Sequence, residues 1–124
     1  MKIALINENS QAEKNAQIYE ILKEEAEKAG HTVDNYGIYA ADDETQLTYV
    51  KNGLLASILL SSGAADFVVT GCGTGQGYLI SANQYPNVYC GHILSPLDAF
   101  LFSQINGGNC VSLAFNEGWG WGAR

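Results

Sequence analysis

The chain has 124 residues, enough for one domain around one core. It is 47% apolar, as soluble globular proteins are, and carries a formal charge of −7 with only 6 basic residues. That balance excludes a nucleic-acid partner and an anionic membrane surface, which both need basic groups. No apolar stretch approaches the ~20 residues of a membrane span.

Lys2-Ile3-Ala4-Leu5-Ile6 is a short apolar run that predicts a first strand. Ser10 with Glu13 forms a capping box. Ala12, Ala16, Tyr19, Leu22, Ala26 and Ala29 then recur at helical spacing until Gly30 stops the helix. His31 to Tyr36 predicts a weaker strand, with His31 on the surface, and residues 38–46 a polar loop. Leu47, Val50, Leu54, Ile58 and Leu59 mark a second helix that closes near Gly63.

Asp66 to Thr70 predicts a central strand. The turn Gly71-Cys72-Gly73-Thr74-Gly75-Gln76-Gly77 follows it and opens a short third helix through Leu79, Ile80 and Ala82. Pro86 ends that helix, and Val88 to Ile93 reads as the fourth strand. Ser95-Pro96-Leu97-Asp98 starts a fourth helix: an N-cap serine, proline at the first position, an acid at the third. Leu97, Phe100, Leu101 and Ile105 form its apolar stripe, so Ile105 reads as core; Cys110 to Phe115 is the fifth strand. Short apolar strands joined by helices predict an α/β fold: a three-layer αβα sandwich around a doubly wound, five-stranded parallel, Rossmann-like sheet.

In such sheets ligands bind beyond the carboxyl ends of the strands. Those ends are Asn7-Glu8-Asn9, Tyr36-Gly37, Gly71 to Thr74, His92 and Asn116-Glu117. The glycine turn is the strongest functional signal among them. Glycine lets the backbone approach a ligand closely, and an amide-rich turn is an anion site. Cys72 would sit in the same field, which favours a thiolate. A small buried hydrophobe is the competing role for a free cysteine, and the core is the better place for Cys90 and Cys110 inside strands. Thr74 caps the third helix, binds a ligand, or does both. Glu8 is a substrate ligand or a solvated acid, and His92 a proton shuttle or a hydrogen-bonded strand-end residue. Three cysteines without paired spacing point to a reducing cytoplasm, and no Cys/His cluster supports a metal.

Several of these segments resemble one family. Lys2-Ile3-Ala4, Ala65-Asp66, Cys72-Gly73-Thr74-Gly75-Gln76-Gly77, Ser81-Ala82-Asn83 and Ala99 to Asn106 with Asn109 are similar to ribose-5-phosphate isomerase B. The galactose-6-phosphate isomerase subunits belong to the same family. The resemblance implies an aldose–ketose isomerase that works through an enediol, with no cofactor and no metal. By position it makes Cys72 the base, with Thr74 beside it. It makes Gly71, Gly73, Gly75 and Gly77 the loop around the enediolate, and Asn106 a substrate ligand; Glu8 and Asn9, after the first strand, are further candidates for substrate binding, with the start of the first helix as the other role for Asn9. It implies a small sugar or sugar phosphate as substrate, and a homodimer or homotetramer with its site at the subunit interface.

The chain also departs from the family's pattern. Glu8-Asn9 stands where the family has Asp-His, Ile105 where it has a ring-opening histidine, and Asn116-Glu117-Gly118 where it has an arginine. Its later phosphate-binding arginines would fall beyond Arg124, which predicts a missing C-terminal helical segment. A glycine-rich tail with Trp119 and Trp121 predicts packing against another subunit. Two other classes stay open: a non-catalytic sugar- or anion-binding companion subunit, and a nucleotide or flavin binder. The lack of a glycine-rich loop after the first strand weighs against the last.

Overall fold

A computed structural model describes residues 1–7, 13–37 and 49–116. The element order is β1 (Lys2–Asn7), α1 (Asn15–Lys28), β2 (Thr32–Asn35), α2 (Tyr49–Ser62), β3 (Phe67–Cys72), α3 (Gln76–Ala82), β4 (Cys90–Ile93), α4 (Pro96–Leu101) and β5 (Cys110–Ala114). All pairings are parallel, in the order β2-β1-β3-β5-β4. The α/β sandwich read from the sequence is therefore present. Glu8, Asn9, Ser10, Ala12, the 38–46 loop, Leu47 and both tryptophans lie outside the described residues.

Alternation along each strand divides the core in two. Ile3, Leu5, Val69 and Phe115 pack with Ile18 and Ala26 of α1 on one face. Ala4, Ile6, Val68, Cys72 and Cys110 pack with Ala56 and Leu59 of α2 and Tyr78 and Ala82 of α3 on the other. Both faces of β1 and β3 are covered, which is why these strands read as unbroken apolar runs.

Three helical stripes differ from the sequence expectation. In α1 the inward residues are Asn15, Ile18 and Ala26, while Ala16 and Ala29 face water. A polar residue occupies the first inward position, so hydropathy alone sets the stripe one step off. In α2 Val50, Leu54 and Ile58 are exposed, whereas Asn52, Gly53, Ala56 and Leu59 are buried. The reason is a close helix–helix approach. A Cβ on Gly53 would fall 2.1 Å from Ser81 Oγ and 2.7 Å from its carbonyl carbon.

The third difference corrects Ile105, which is 73% exposed rather than core. The helix begins as expected, with Ser95 Oγ accepting from Asp98 N at 3.2 Å. After Leu101, however, the chain widens into a π-helical turn over Phe102–Asn106. That turn sends Phe102 into the space beside Gly91 and Gly108 and leaves Leu97, Phe100, Leu101 and Ile105 outside.

Gly53→Ala tests the helix contact. Alanine gains roughly 1 kcal/mol in helix propensity, but overpacking against Ser81 costs roughly 1–3 kcal/mol. We expect a net loss of stability in urea unfolding despite the better helix former.

Candidate active site at the carboxyl end of the central strand

The chain winds outward from β1 to β2, then returns to set β3 against the other side of β1. The reversal falls between the carboxyl ends of β1 and β3, where doubly wound sheets bind ligands. Asn7 pairs with Gly71 there, and the glycine turn follows directly.

Every carbonyl along this turn is held by the protein. Phe115 N donates to Cys72 O and Asn116 N to Gly73 O, both at 2.9 Å. His92 Nε2 meets Thr74 O at 2.8 Å, and Ser112 Oγ donates to Gly75 O at 2.7 Å. With Leu79 N also on Gly75 O, residues 72–75 are tied to β4, β5 and α3 through their oxygens. The amides of Gly73, Thr74 and Gly75 donate to no group among the described residues. Three unpaired donors in succession are what an anion cradle requires.

Gly75 makes the turn possible. Its φ is +81°, in the left-handed region, and a Cβ there would sit 2.8 Å from the His92 ring. Thr74 Oγ1 accepts from Gln76 N at 3.2 Å, so Thr74 stabilises the start of α3. Gly77 lies in the first turn of that helix.

Cys72 is the last residue of β3, one position before the free amides. Its side chain turns toward the α2–α3 face and is 7% exposed. Gly71 is also in the strand, with the Phe115 ring over the place a side chain would take. Because His92 Nε2 meets a carbonyl, that nitrogen carries the proton and Nδ1 faces Gln76 Nε2 at 3.4 Å. His92 thus stands hydrogen-bonded at the strand end, against the glycine turn.

Asn106 does not join this group within one chain. It precedes β5, whereas Cys72 pairs with Ala114 at the far end of that strand. Four residues of strand separate the two levels, about 13 Å. Asn106 instead borders an open depression of about 520 Å³, together with Asn83, Tyr89, Cys90 and Phe102.

Ser112 escaped sequence reasoning, and Asn7 stood out only as a strand end. Ser112 looked like an ordinary strand residue, and only the register that aligns it with His92 reveals its role. Asn7 is 1% exposed, and neither end of its side-chain amide has a partner among the described residues. An amide closing an apolar strand at the switch point was the available signal. The lysine at this edge is Lys14, whose Nζ donates to Phe115 O at 2.6 Å and Asn116 Oδ1 at 3.4 Å. No group of three or more metal-ligating side chains occurs among the described residues.

A parallel sheet with this strand order and a glycine turn at its switch point defines a doubly wound α/β protein. The chain belongs to the Ribose/Galactose Isomerase family, whose pattern it matches over residues 3–121. Among solved structures, a ribose-5-phosphate isomerase from Vibrio parahaemolyticus is 57% identical with a TM-score of 0.94. The match covers 98% of this chain and 57% of that one. A 4-deoxy-L-threo-5-hexosulose-uronate ketol-isomerase, crystallised with a tartrate, is 60% identical with a TM-score of 0.95, over 99% of this chain and 58% of that one. The ribose-5-phosphate isomerase B of Clostridium thermocellum shares the fold at 24% identity and a TM-score of 0.77, over 94% and 74% of the two chains. The chain therefore spans 57–58% of the length of the first two relatives. A comparison with curated proteins gave no match.

Ser112→Ala tests the tie on the cradle. Gly75 O keeps its bond from Leu79 N, so we expect a loss of about 1 kcal/mol rather than collapse. Urea unfolding measures that loss, and faster amide exchange at Gly73 to Gly75 accompanies it.

Proposed function

We propose that the protein is an aldose–ketose isomerase that moves a sugar carbonyl from C1 to C2 through a cis-enediolate. The observation that carries this reading is the set of free amides at Gly73, Thr74 and Gly75 directly after Cys72. Cys72 removes the C2 proton and returns it to C1. The amides hold the oxygens on which charge develops, each worth roughly 3–4 kcal/mol in the transition state. A companion subunit that binds without turnover is the second reading, favoured only by the departures from the family's pattern.

The substrate we infer is an unphosphorylated keto-uronate rather than a sugar phosphate. The relative at 60% identity is named for such a compound. A 4-deoxy-5-keto sugar has no hydroxyl at C4 or C5, so its C1 aldehyde cannot close the usual furanose or pyranose ring. A ring-opening histidine then has no task, which fits Ile105 at that position. A carboxylate also carries one charge where a phosphate carries nearly two, which fits a chain of net charge −7 with Asn116 in place of an arginine. Replacing Cys72 with Ala should abolish turnover and the exchange of the substrate's C2 hydrogen with solvent deuterium. The unmodified protein should turn over the keto-uronate at least tenfold faster than ribose 5-phosphate. Undiminished exchange in the variant removes Cys72 as base, and a preference for the phosphate removes the uronate.

The same reading requires a second copy of the chain. Asn106 reaches a cradle only if a partner supplies it, and the exposed stripe Leu97, Phe100, Leu101 and Ile105 borders it. We expect Ile105→Glu to yield monomers in light scattering and to lose activity with the oligomer. Cys72→Ala should remain assembled.

A further inference from the structure

Cys90 and Cys110 play no part in the isomerisation described above, yet the sheet brings them together. They are register partners on the neighbouring strands β4 and β5. Both point to the α2–α3 face, side by side on adjacent strands. Their exposures differ. Cys110 is fully buried, whereas Cys90 is half-buried and borders the depression beside Phe102 and Asn106. One cysteine reaches the surface and the other is buried beside it.

We propose that Cys90 and Cys110 are a modification site for small hydroperoxides, closing into a reversible disulfide that disturbs the cradle. The Cys90 thiolate attacks the peroxide's terminal oxygen. An S–O bond forms, the O–O bond breaks, and the leaving oxygen takes a proton to become water or an alcohol. Cys110 sulfur then attacks the sulfenic sulfur. The S–S bond forms, the S–O bond breaks, and hydroxide leaves with the Cys110 proton as water. Two thiols and one hydroperoxide give a disulfide, one water and one water or alcohol. The Cys90 hydrogen bond and burial hold the Cys110 thiol well above its ordinary pKa, so it stays protonated until the sulfenic acid forms beside it.

Geometry makes this disulfide a labile one. Neighbouring strands lie about 4.8 Å apart, so same-face partners start with their Cβ atoms at about that spacing. A disulfide wants Cβ atoms about 3.8 Å apart. Closure therefore draws β4 toward β5 by about 1 Å, and strained bridges are the easily reduced kind. Two residues further along the same strands stand His92 and Ser112, also register partners, which hold Thr74 O and Gly75 O. Asn83, at the end of α3, clasps the Cys90 backbone through both its N–H at 2.8 Å and its carbonyl at 2.9 Å. A shift of β4 thus reaches the cradle from its supports and from the far end of its helix.

The test uses full-length Cys72→Ser protein, so that only the pair can respond, treated with stoichiometric hydrogen peroxide. We expect intact mass to fall by two hydrogens, a crosslinked Cys90–Cys110 peptide, faster amide exchange across residues 73–77, and full reversal by dithiothreitol. Cys90→Ser, at a half-exposed position, should give none of these. Sulfinic acid on Cys90 with Cys110 still alkylated after unfolding would overturn the site. A disulfide with unchanged exchange at 73–77 would overturn the coupling. These readouts do not depend on the isomerase reading. In protein that retains Cys72, a ~1 Å displacement predicts a reversible loss of turnover of roughly a hundredfold.

Discussion

Everything at the candidate site depends on which side of one short backbone segment is bonded. From Cys72 to Gly75 each carbonyl is taken by a neighbour, and three successive amides find no acceptor among the described residues. A peptide unit has two ends, so fixing the oxygens fixes where the N–H groups aim. The partners are a backbone amide pair after β5, a serine on β5 and a histidine on β4. The sheet thus organises the cradle by strand order, since β5 must lie between β3 and β4 for all three supports to converge. Preorganised donors of this kind need no reorientation when charge develops on a ligand.

The two sheet faces are built on different packing rules. The α1 face is filled by large aliphatic and aromatic side chains. On the other face α2 and α3 approach so closely that Gly53 meets Ser81, and Val50, Leu54 and Ile58 of α2 turn outward while Leu59 stays in the core. The π-helical turn after α4 has a similar effect, spending one aromatic residue inward and exposing four apolar ones. Both arrangements leave apolar helix surface in positions where association with another chain would bury it.

The strands, their order along the chain and the glycine turn were legible because each rests on local chemistry: apolar runs, a serine–proline helix start, glycines after a strand. The inward faces of α1, α2 and α4 were not. In α1 the inward Asn15 is polar, in α2 apolar residues stand on more than one face, and in α4 the helix changes its pitch at Phe102. At the site, Cys72 and Thr74 stood out because they interrupt a glycine series. Ser112 did not, because its meaning comes from being level with His92 on the adjacent strand. Register is a property of two segments at once, and neither segment announces it.

The Asn83 clasp on Cys90 has a further consequence. β4 is an edge of the sheet, and an edge strand offers unpaired N–H and C=O groups on which another chain can build. At Cys90 both groups are already engaged by one side-chain amide, which stands in for a single residue of a sixth strand. A foreign strand arriving at this edge must first break a donor–acceptor pair that it can only replace in kind. The clasp therefore opposes strand addition at this residue of the edge.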